Sequence, residues 1–202
     1  LYNIATAETY LKQYDTALIH YREIEEIGKR INDYQLVLDG WLGAAGAYSG
    51  LKKYNEAEKK YNDVLQLSRE KQAIEYELYA YMGLADMLLN AGRYAAAEKP
   101  IQAGIAIAVK NEARYELKDL YYKASSMEEK LGKPTVALEF WKKYQQLNDS
   151  VINEKNKSDI NLIEAKYESE KKKNLIKQLE SDKQIQQLAI RQKNILNYIV
   201  IS

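Results

Sequence analysis

The sequence has no cysteine, one histidine, two prolines and one phenylalanine in 202 residues. Without cysteine there is no disulfide, no thiolate metal site and no thiol nucleophile, and either redox compartment is compatible. The lone His20 leaves little for imidazole chemistry, and so few prolines leave long helices uninterrupted. Neither charge sign prevails. Thirty Lys and Arg stand against 29 Asp and Glu, a net charge of +1 and a pI of about 7.9, so nothing global draws the chain to nucleic acid. No glycine-rich phosphate loop is present either. Gly40, Gly43, Gly46 and Gly50 lie beside Trp41 and Ala44 at helical spacing and read as packing positions.

What the chain does hold is tyrosine, 18 of them, and a repeat. Ala17, Ala57, Ala97 and Ala137 stand 40 residues apart, each followed four residues later by a large side chain: Tyr21, Tyr61, Ile101 and Trp141. Leu1, Trp41, Tyr81 and Tyr121 form a second column, and Ala5, Ala45, Ala85 and Ser125 a small-residue column four positions on. Intervals of three and four within each unit are helical and not the alternation of strands. Small residues between large ones let two helices approach closely. The pattern predicts two helices per unit, with turns near 12–14, 52–54, 92–94 and 132–134. A fixed period of this size belongs to stacked units that share one continuous core.

These columns resemble the tetratricopeptide repeat (TPR). The second unit carries the likeness best, through Trp41, Ala44, Ala45, Tyr48, Tyr54, Ala57, Tyr61 and Val64. The first departs at Glu8, where an aromatic is usual. The fourth departs at Ser125, Glu128 and Pro134. The 40-residue period exceeds the usual length of about 34 by roughly one turn per helix. The expected fold is all-α, a right-handed TPR-type solenoid of helical hairpins followed by a long C-terminal helix. Four repeats are expected at about 1–33, 34–73, 74–113 and 114–150, within a domain of 1–150.

Beyond 150 the composition changes. Residues 151–194 hold ten Lys and Arg, seven Asp and Glu, and neither glycine nor proline, which predicts one long charged helix. Its sparse apolar residues include Ile160, Ile163, Tyr167, Ile185 and Leu188. A solvated single helix and a weak coiled coil in a homodimer both fit. The run 195–202, Ile-Leu-Asn-Tyr-Ile-Val-Ile-Ser, is too short to span a bilayer and reads as the start of a transmembrane helix. The opening at Leu1, inside a repeat, reads as that of a fragment.

The order of segments, with Ile160, Ile163, Glu164, Ala165, Lys166, Tyr167, Glu168, Glu170 and the lysines 171–173, resembles TPR-containing sensor proteins of Bacteroidetes-type bacteria. That resemblance implies an inner-membrane anchor, an extracytoplasmic (periplasmic) repeat region and a C-terminal output domain such as a histidine kinase. The basic residues before 195 point the other way, toward cytoplasmic repeats, if charge alone sets the orientation. A soluble cytoplasmic TPR adaptor with no span is the alternative.

The TPR resemblance also implies a concave groove lined by the first helices. Its residues would be Tyr2, Asn3 and Thr6 in the first unit, and Leu42, Gly46 and Ser49 in the second. The third would give Tyr79, Met82, Asp86 and Leu89, and the fourth Asp119, Tyr122 and Lys123. This mixed aromatic, apolar and acidic surface suits a peptide or protein partner. The Lys and Asn of the family's carboxylate clamp are absent, with Leu42, Gly46, Met82 and Asp86 in their places. No catalytic, metal or cofactor site emerges and no nucleic-acid surface. His20 sits beside the packing residue Tyr21. The pairs Glu25–Glu26 and Glu128–Glu129 and the run Lys171–Lys173 read as solvated faces.

Overall fold

A computed structural model describes the backbone of residues 1–201, and side chains except those of 154–156, 158–160, 163, 182 and 184–202. Helices occupy almost all of it, in hairpins: α1 (Tyr2–Tyr10) with α2 (Tyr14–Ile31), α3 (Tyr34–Gly50) with α4 (Tyr54–Glu70), α5 (Ile74–Asn90) with α6 (Tyr94–Lys110), and α7 (Arg114–Lys130) with α8 (Pro134–Ile201). No strand occurs among the described residues. The chain divides into two units, Leu1–Val151 and Ile152–Ser202.

Every turn is built the same way. Lys12, Asn32, Lys52, Gln72, Gly92, Glu112 and Gly132, spaced by 20 residues, all have positive φ. The following amide donates back across the turn to the carbonyl five residues earlier, as in Gln13 to Glu8, Asp33 to Gly28 and Arg93 to Leu88, each at 2.8 Å. This pairing satisfies carbonyls that the last helical turn leaves open, and it stops α3 to α7 at 17 residues each. The period seen in the side chains is 40, but the backbone repeats every 20. At Asp33 the side chain adds an N-cap, accepting from the amides of Gln35 at 2.9 Å and Leu36 at 3.2 Å.

The alanine columns form the spine of the core. Ala5, Ala45, Ala85, Ala17, Ala57 and Ala97 are fully buried. Between them sit Ile24, Leu38, Val64, Met87, Ile101, Leu120 and Met127, also sealed from solvent. Each such side chain contributes about 1.5–3 kcal/mol by burial, whereas the alanines contribute mainly close approach. Ser125 occupies its small-residue column by donating its hydroxyl to the Ala137 carbonyl at 2.8 Å.

Two expectations are corrected here. Only one member of each Glu–Glu pair is solvated. Glu128 is buried, with Lys133 Nζ 3.2 Å from its Oε2. Glu25 is half-buried, bonded to Lys29 at 2.6 Å and Lys60 at 3.3 Å. Of the four glycines read as packing positions, Gly46 meets nothing within 4 Å of where a Cβ would lie.

Among the described residues no helix is long and apolar enough to cross a membrane. The expected start of a span at 195–202 lies outside the residues whose side chains are described. The same holds for Ile160, Ile163, Ile185 and Leu188 of the expected coiled-coil seam.

Candidate functional site

Neighbouring first helices meet in a fixed register. Tyr76 Oη of α5 donates to Asp39 Oδ1 of α3 at 2.9 Å, and Lys123 Nζ of α7 donates to Asp86 Oδ1 of α5 at 2.5 Å. Both pairs are 37 residues apart, one repeat less three residues. The same offset joins Tyr2 of α1 to Asp39 and Tyr79 of α5 to Glu116 of α7. Burial, and then the Asp39 carboxylate, push the Tyr2 phenol up. Burial, and then Glu116, do the same to Tyr79. Four helices thus present one ladder of tyrosines and carboxylates.

Asp39 sits at its centre. Burial pushes its carboxyl up, against the hydrogen bond from Tyr76, which pulls it down, and nearby Asp33 adds to the rise. Tyr76 is pushed strongly upward by burial and by its bond to Asp39. A half-buried carboxylate between two phenols has spare lone pairs and an unfavourable environment for its charge. It is an acceptor that a cationic or N–H donor would relieve.

The structure places the thirteen sequence-predicted groove residues as follows. Asp86 and Lys123 are brought together as an ion pair. Tyr2, Asn3, Tyr79, Asp119 and Tyr122 are exposed, and Asp119 also lies 3.4 Å from Lys118 Nζ. Gly46 opens onto free space, and Thr6 and Ser49 are half-buried. Leu42 and Leu89 pack against the central core, and Met82 against the Leu78, Ala108 and Leu120 cluster, so these three present only their edges. Tyr122 belongs to an aromatic group with Trp141 and Tyr144, ring centroids 5.1–6.2 Å apart.

Sequence reasoning missed Asp39, Tyr76, Glu116, Trp141 and Tyr144. The signal that finds the first three is the offset of 37, which no comparison in steps of 40 reveals. His20 is taken up structurally: its Nδ1 lies 2.7 Å from Glu8 Oε2, across the first hairpin. Glu8, out of place in an aromatic column, thereby gains its partner. Among the described residues no group of three or more His, Asp or Glu is arranged to hold a metal ion.

No family model matches this sequence, and no curated protein matches it significantly. Among solved structures the fold is similar to the apo form of RapI, with a TM-score of 0.67 at 16% identity, over 75% of this chain and 56% of that one. This chain therefore spans little more than half the length of RapI. The likeness is one of fold, that of a TPR-type helical-repeat solenoid.

Proposed function

We infer that the protein is a binding module that takes an extended peptide or protein segment along its first-helix ladder. The observation that carries this reading is the Tyr2, Asp39 and Tyr76 arrangement, one group from each of three successive repeats, which sets a half-buried carboxylate between two phenols. Tyrosines supply contact area at low entropic cost, and the carboxylates of Asp39, Glu116 and Asp119 favour a segment carrying Lys, Arg or free amide donors. Asp86 is already neutralised by Lys123, so selectivity for charge falls to Asp39 in the second repeat and to Glu116 and Asp119 in the fourth.

Peptides selected from a display library on the 202-residue chain test this. Asp39→Asn with Tyr76→Phe should weaken the selected peptides by about tenfold or more, the scale of one charge-assisted bond. Unchanged affinity in that double variant would move the site off the ladder.

The finer reading is a membrane-anchored bacterial sensor, with its repeats outside the cytoplasm and an output domain such as a histidine kinase further along the gene product. Its support is the helical stretch 152–201 that follows the repeats in sequence. Leu162, Tyr167, Leu175, Ile176 and Leu179 are exposed along it, which favours pairing between two copies. Sedimentation of the chain should then show a weak dimer that Leu175→Lys with Leu179→Lys abolishes. A monomer at all concentrations would leave the adaptor reading.

A further inference from the structure

Three successive hairpin–hairpin junctions can be compared residue by residue, because their second helices align at 40-residue intervals. At the first, Lys60 of α4 fills the wedge between repeats. Its Nζ lies 5.1 Å from the Trp41 ring centroid and 3.3 Å from Glu25 Oε2. At the third, Phe140 of α8 fills it, 6.2 Å from the Tyr121 ring, with Lys143 against both. At the second junction the corresponding residue is Pro100, and the position of Glu25 is taken by Leu65. Proline is too short to reach Tyr81, the counterpart of Trp41 and Tyr121. The wedge is left as a cleft of about 340 Å³ between α4, α5 and α6. That volume is at the lower end for small-molecule sites.

The cleft is chemically asymmetric. Leu65, Leu84 and Leu88 line it with Pro100 and the Tyr81 ring, whose face carries the Arg69 guanidinium 5.7 Å away. Arg69 is committed to Glu77 at 2.7 Å and to the Tyr81 hydroxyl, and Arg93 to Glu58 at 3.1 Å. Lys99, also lining the cleft, has no hydrogen bond or ion pair among the described residues. Glu58, held by Arg93, and Asn62 also line the cleft, so a part-apolar slot with one uncommitted cation at its edge accepts an apolar group joined to an anion. None of the thirteen groove residues lines it, so it is a second site.

We propose that this cleft binds a small carboxylate with an aromatic or branched apolar body, either free or as the C-terminal residue of a peptide. The apolar body replaces the filler that Lys60 and Phe140 supply at the other junctions, and the carboxylate pairs with Lys99. An occupant wedged there bears on the angle between the second and third repeats, and so on the ladder built from α3 and α5.

The test uses the full chain with labelled leucine methyls, titrated separately with phenylacetate, phenylacetamide and the tripeptide Gly-Gly-Phe. Phenylacetate or the tripeptide should shift the Leu65, Leu84 and Leu88 methyls saturably, and the tighter of the two identifies the source. The neutral amide should bind about tenfold more weakly, as should the acid to Lys99→Met. Pro100→Phe, which copies the third junction, should abolish binding with helicity retained. The exposed Lys99 variant keeps the test decisive if Pro100→Phe disturbs packing. No saturable shift with either acid up to about 10 mM, or equal binding of acid and amide, overturns the proposal.

Discussion

The Tyr61 ring lies so close to Gly83 that a Cβ on the glycine would come within 2.3 Å of its Cε1. Tyr21 and Gly43 stand in the same relation one repeat earlier, at 2.1 Å. The second helix of one hairpin thus drives a tyrosine into a gap on the first helix of the next. At the third junction the pair becomes Ile101 and Lys123, a smaller knob opposite a longer side chain. Both tyrosines are buried and cannot swing aside.

Gly83→Ala should therefore destabilise the protein by roughly 1–3 kcal/mol, the usual cost of overpacking. Gly46→Ala, in the interior of α3 and facing open space, should stabilise it by about 0.5–1 kcal/mol through helix propensity alone. Urea unfolding of the two variants reads both signs. A neutral Gly83→Ala would mean that the tyrosine is not seated where the geometry puts it.

The turns offer a second contrast. Lys52 holds φ of 59° where Gly92 and Gly132 do the same work in later repeats. A left-handed L-residue costs about 1–2 kcal/mol, while glycine gives back up to about 1 kcal/mol through a freer unfolded chain. Lys52→Gly should raise the melting temperature slightly, and Gly92→Ala should lower it. A fall in both would show that the Lys52 side chain holds the turn.

The hairpins, their 40-residue period and the turns at Lys12, Lys52, Gly92 and Gly132 were legible because side-chain size repeats in columns. The intervening turns at Asn32, Gln72 and Glu112 lie beside the boundaries expected between repeats, but their left-handed backbone was not legible, because polar residues other than glycine occupy those positions. The ladder was half legible. Asp86 and Lys123 could be placed on first helices, but their pairing depends on an axial offset of three residues that a linear column comparison lacks. The burial of Glu128 was hidden for a related reason. A carboxylate in an aromatic column reads as a lost contact until the cation five residues on folds back over it.

Asp39 should leave a mark on the pH dependence of stability. Burial raises its folded pKa above the ordinary aspartate value. The proton is then bound more tightly in the folded state, so the associated stability is full below the unfolded pKa and lost as pH rises through the folded one. Asp39→Asn should gain on the wild type near pH 7 and lose that gain near pH 3. The same substitution should weaken a groove ligand, so stability and binding would move oppositely. A stability difference that is constant with pH would show that Asp39 is solvated.

Glu128 and Lys133 allow one contact to be broken with opposite results. The carboxylate is buried in α7, whereas the lysine is half exposed, with 3.2 Å between Nζ and Oε2. Leu88 holds the equivalent place one repeat earlier, inside the core. Glu128→Leu removes a buried charge and returns Lys133 to water, so it should be neutral or stabilise by about 1–4 kcal/mol, as in other buried pairs replaced by apolar residues. Lys133→Ala strands the carboxylate and should cost about 1–3 kcal/mol. Chemical denaturation midpoints separate the cases. Equal destabilisation by both would mean that attraction across 3.2 Å outweighs the desolvation of Glu128.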